Sequence, residues 1–95
     1  MPDRRRFVAH DAVTVSNTAI LLIGENKSRV GLIIQETAGQ PVRVTNDESD
    51  VSTTKGLQLP ASTTLQFAVT PTDPLWAIRQ GGVDGVVVVT EIIYN

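Results

Sequence analysis

Residues 30–45 read VGLIIQETAGQPVRVT. Val30, Leu32 and Ile34 recur at every second position, the spacing that puts side chains on one face of an extended strand. Ala38, Gly39, Gln40 and Pro41 follow with turn chemistry, because glycine tolerates positive φ and proline ends ladder pairing. Val42 and Val44 then alternate with Arg43 and Thr45, as in a strand with one buried face. The two strands and their turn predict a hairpin.

The same short-strand pattern extends in both directions. Residues 11–15 start an alternating segment with Val13 and Val15 on one side, and residues 19–23 (AILLI) read as a buried strand. Residues 24–28 form a turn. Beyond the opening stretch, residues 46–54 (NDESDVSTT) read as a polar surface loop. Leu57 and Leu59 flank Gln58 in a short strand that Pro60 ends. Residues 63–69 place Leu65, Phe67 and Val69 on one face. Residues 70–74 are a loop stiffened by two prolines. Residues 75–79 carry Trp76 and Ile78, residues 80–85 form a glycine-rich turn, and residues 86–93 close the domain.

The count is seven or eight short strands with no segment that reads as a stable helix. That predicts an all-β domain, a small β-sandwich or jelly roll, with an SH3-like or OB barrel as the runner-up. Residues 1–10 (MPDRRRFVAH) show no strand periodicity and predict an extended basic arm. Residues 11–95 make the single sandwich domain. A chain of 95 residues fits one domain with a thin stability margin, so self-association or docking on a partner would help it.

Charge is unevenly divided. The net charge is −2, yet Arg4, Arg5 and Arg6 stand against Asp3 alone in the first six residues. The rest of the chain holds five basic and nine acidic side chains, a balance of −4. A basic start on an acidic body suggests an arm with its own partner more than a nucleic-acid-binding body. The absence of cysteine excludes a disulfide framework and thiolate chemistry. No apolar run approaches the roughly 20 residues of a membrane span, and no signal peptide is apparent.

Catalytic chemistry finds little support. The single histidine, His10, sits next to Asp11 by sequence adjacency and reads as an exposed or capping residue. Asp47, Glu48 and Asp50 lack the alternating spacing and the glycine of a calcium-binding loop and read as a solvated loop. Gly81, Gly82 and Gly85 lack the Lys-Ser/Thr of a phosphate loop. No enzyme activity, cofactor or metal is expected. The last strand has two apolar faces, with Val86, Val88 and Ile92 on one and Val87, Val89 and Ile93 on the other. Such a strand is either covered on both sides or meets another subunit.

The run AILLIGENKSRVGLIIQETAGQPVRVT, followed by GLQLPASTTLQF, PLWAIRQGG and VVVVTE, resembles small virion structural proteins of tailed bacteriophages. Arg29, Leu32, Ile33, Ile34 and Gln35 match an Arg-x-x-Leu-Ile-Ile-Gln-like strand. Gly56 to Pro60 match a Gly-hydrophobic-x-Leu-Pro segment, and Leu75 to Ile78 match a Leu-Trp/Tyr-Ala-Ile strand. The resemblance covers residues 19–92 and carries no catalytic motif. It implies a decoration or cement protein on the capsid surface of the virion, with the major capsid protein as partner and a homotrimer as the favoured assembly. A tail, adaptor or receptor-binding component is the alternative. Arg4, Arg5, Arg6 and Phe7 are the candidate capsid-contact arm. Trp76, Val87, Val89 and Ile93 are the candidate subunit interface.

Overall fold

A computed structural model describes residues 4–94. Nine strands run in chain order: β1 (Arg5–Ala9), β2 (Val13–Val15), β3 (Ile20–Ile23), β4 (Arg29–Glu36), β5 (Val42–Thr45), β6 (Leu57–Leu59), β7 (Thr64–Gln66), β8 (Leu75–Arg79) and β9 (Gly85–Tyr94). Two antiparallel sheets pack face to face. The first has the order β1-β9-β4-β7, with β2 paired to the far end of β9, and the second has the order β3-β8-β5-β6. Taken together, β1 and β2 are one interrupted strand, and the two four-strand orders are those of a jelly roll. The all-β sandwich expected from the alternating pattern is therefore the fold.

The core lies between the sheets. Val15, Leu32, Ile34, Val87 and Val89 enter it from the first sheet, and Leu22, Ile23, Val42, Val44, Leu59, Leu75 and Ala77 from the second. Leu65 and Phe67 pack against its margin. Each fully buried valine, leucine or isoleucine among them contributes roughly 1.5–3 kcal/mol by leaving water.

Several local expectations change, among them the strand over residues 63–69, which ends at Gln66 and leaves Val69 exposed. Residues 5–9 of the expected arm are β1, paired with β9 from Arg5 opposite Tyr94 to Ala9 opposite Thr90. Residues 1–3 of that arm lie outside the described residues. The expected hairpin of residues 30–45 does not form, because β4 pairs with β9 and β7 whereas β5 pairs with β8 and β6. The chain crosses from one sheet to the other between them. The Glu36 carboxylate fixes that crossing by accepting the N–H groups of Ala38 (2.9 Å), Gly39 (2.7 Å) and Gln40 (2.9 Å).

Val30 does not share the buried face of Leu32 and Ile34. The register between β4 and β9 shifts between Arg29 and Gly31, so Arg29 turns inward and Val30 is 49% exposed. A bulge inserts one residue and moves its neighbours to the opposite face. Gly31 sits against Ile92, where an added Cβ would lie 2.8 Å from the isoleucine Cδ1.

Candidate interaction surface

Antiparallel neighbours directly opposite each other point to the same face of a sheet. Along β9 the buried row is Val87, Val89, Glu91 and Ile93, and the outer row is Val86, Val88, Thr90, Ile92 and Tyr94. Phe7 and Gly31 flank Ile92 on that outer face, Ala9 and Ile33 flank Thr90, and Gln35 lies beside Val88. The result is an apolar ribbon down the middle of the outer face. Its β7 side is polar, with Gln35 donating to the Thr64 hydroxyl at 3.2 Å and Gln66 beside Ile33. Phe7 is 72% exposed and Tyr94 is also exposed. A depression of about 220 Å³ opens at this end, lined by Arg5, Arg6, Phe7 and Ile92.

The residues singled out as a subunit interface do not come together. Val87 and Val89 are wholly buried in the core and Ile93 is nearly so, which leaves them no surface to offer a second chain. The outward row of the same strand is Val86, Val88 and Ile92. Trp76 lies on the opposite side of the molecule, half-buried on the outer face of the second sheet beside Leu21 and Thr45. Arg4 is exposed just ahead of β1, and Arg5, Arg6 and Phe7 lie on that edge strand.

A buried polar cluster closes the β1 end of the sandwich. Arg29 donates through Nε to Glu91 Oε2 at 2.7 Å, through Nη1 to the carbonyls of Pro71 (2.7 Å) and Asp73 (3.2 Å), and through Nη2 to the Gly24 carbonyl (2.5 Å). His10 Nε2 lies 2.7 Å from Glu91 Oε1, and Asn26 donates to Oε2 at 3.3 Å. Burial would raise the Glu91 pKa, but hydrogen bonds and charge from Arg29 and His10 hold it below the usual value. Both carboxylate oxygens are engaged within the protein. The cluster therefore clamps two loops, β4 and the β1–β2 joint to β9. His10 belongs to this clamp, a role its sequence position next to Asp11 did not reveal.

Glu36 plays the matching role at the other end. Beyond its three turn N–H groups, its oxygens accept from Ser62 N at 3.0 Å and Val86 N at 3.1 Å. Burial acts against ionisation, yet the backbone donors outweigh it and lower the pKa to about 2. Glu36 and Glu91 carried a readable signal, since each shares the inward parity of its strand's core residues. Arg29 did not, because its inward turn depends on the bulge.

The acidic side chains Asp47, Glu48 and Asp50 are exposed, whereas Val51 of the same loop is buried. Asp47 accepts from the N–H and hydroxyl of Ser49 at 3.0 and 2.8 Å, which lowers its pKa. Among the described residues, no group of three or more His, Cys, Asp or Glu side chains could hold a metal ion. No family model, curated protein or solved structure matches the chain.

Proposed function

We propose that the protein is a non-catalytic decoration, or cement, protein that binds the outer shell of a tailed-phage capsid and stabilises the joints between capsid subunits. The observation that carries this reading is the apolar ribbon of Val86, Val88 and Ile92, which runs beside exposed Phe7 and an arginine-bearing edge strand. Contiguous apolar surface bordered by polar residues is a feature of interaction sites, including protein-binding faces. The resemblance of residues 19–92 to small virion proteins supplies the capsid as the partner. The most heavily engaged carboxylates, Glu36 and Glu91, hold the fold through backbone donors, Arg29 and His10. Subunit joints around local three-fold axes favour a trimer.

Quantifying the chain in purified virions tests the proposal. Cementing a shell requires copies on the order of hundreds, in proportion to the major capsid protein. A handful of copies in the ratio of a ring would replace it with the tail or adaptor reading, and absence from virions would overturn both.

A further inference from the structure

Building on the capsid-binding reading, we infer that the outer edge of β1 receives an acidic, extended segment of the capsid subunit as an added strand. β1 ends the first sheet: β9 holds one of its edges, and among the described residues no strand pairs with the other. The His10 N–H donates to the Val89 carbonyl at 3.0 Å, so the even-numbered backbone here faces β9. Alternation along the strand turns the N–H and C=O groups of Phe7 and Ala9 toward the unpaired edge. An open edge of this kind templates pairing with another chain.

Charge selects the occupant. Arg4 and Arg6 lie beside and in this edge and are both exposed. Like charges disfavour a second β1 in any register that overlaps residues 4–6, whereas an acidic strand gains from the same arrangement. Side-chain recognition has a place as well. The depression lined by Arg5, Arg6, Phe7 and Ile92 lies beside the edge, where it can take one apolar side chain of the added strand between basic flanks. Backbone pairing then supplies affinity, and the depression with its arginines supplies specificity.

The test uses the full chain and empty shells assembled from the major capsid protein of the same phage, with binding measured by co-sedimentation. Ala9→Pro removes one N–H from the unpaired edge and none from the ladder with β9, which is where a strand tolerates proline. Ala9→Val keeps that N–H and serves as its control. Arg4→Glu/Arg6→Glu reverses charge without altering the backbone. The expected result is native-like melting for all three, wild-type binding for Ala9→Val, and a loss of about tenfold or more for the other two. Should Ala9→Pro fail to fold, the arginine double variant carries the test alone. Wild-type binding by both Ala9→Pro and the double variant would overturn this inference and leave the capsid role standing. The same holds if the variants abolish self-association but not shell binding, since the occupant is then a second copy. Failure of the wild-type chain to bind shells would remove the capsid role, and this inference with it.

Discussion

Glu36 shows how one side chain can hold a crossing between two sheets. Its five backbone donors come from the turn after β4, from Ser62 before β7 and from Val86 in β9. Its folded pKa of about 2 lies below the ordinary value of 4.5, so its contribution is complete above 4.5 and is lost as pH falls toward 2. The shift corresponds to about 3 kcal/mol. Urea unfolding across acid pH will show wild-type stability falling through that window and a flatter profile for Glu36→Gln. At neutral pH the variant will be less stable by about 2–4 kcal/mol, because an amide turns a donor toward backbone donors. Equal stability of the two proteins at neutral pH would contradict this account of the crossing. The sequence marks Glu36 as inward by its parity with Leu32 and Ile34. It does not disclose Ser62 and Val86 as partners, since they reach the carboxylate only through the tertiary fold. Arg29 was hidden for a different reason: Gly31 is the one local hint of a bulge there, and the alternation of Val30, Leu32 and Ile34 outweighed it.

At the scale of elements, β9 organises the first sheet, with β1 and β2 on one side and β4 on the other. Its two rows have different tasks. Val87→Ala empties core volume and will cost about 2 kcal/mol in chemical unfolding. Val88→Ala, on the half-exposed outer row, will cost well under 1 kcal/mol and will weaken shell binding instead. A larger stability loss at Val88 than at Val87 would reverse the assignment of faces. Strand positions were legible where apolar residues alternate, as in β4 and β5, or run on between turn residues, as in β8 and β9. Pairing was not, because turn chemistry after β4 is compatible with an in-plane hairpin and with a crossing. The strand at residues 5–9 escaped notice because RRFVA carries no alternation, and its pairing is supplied by β9.

Across the whole molecule, the two sheets wrap one core into a slab whose outer faces also carry apolar side chains, Val86, Val88 and Ile92 on one and Leu21, Trp76 and Ile78 on the other. The sandwich was readable from many short strands and the lack of helical periodicity. The candidate interaction surface was readable only in part: the arginines and Phe7 were visible as a basic arm, whereas the choice between the rows of β9 required the register. The capsid role is tested most directly by mixing the purified chain with empty shells and measuring the bound fraction by sedimentation as chain concentration rises. The account predicts saturable binding at a fixed ratio of chain to capsid subunit. A chain that stays in the supernatant at every concentration, with shells intact, would contradict it.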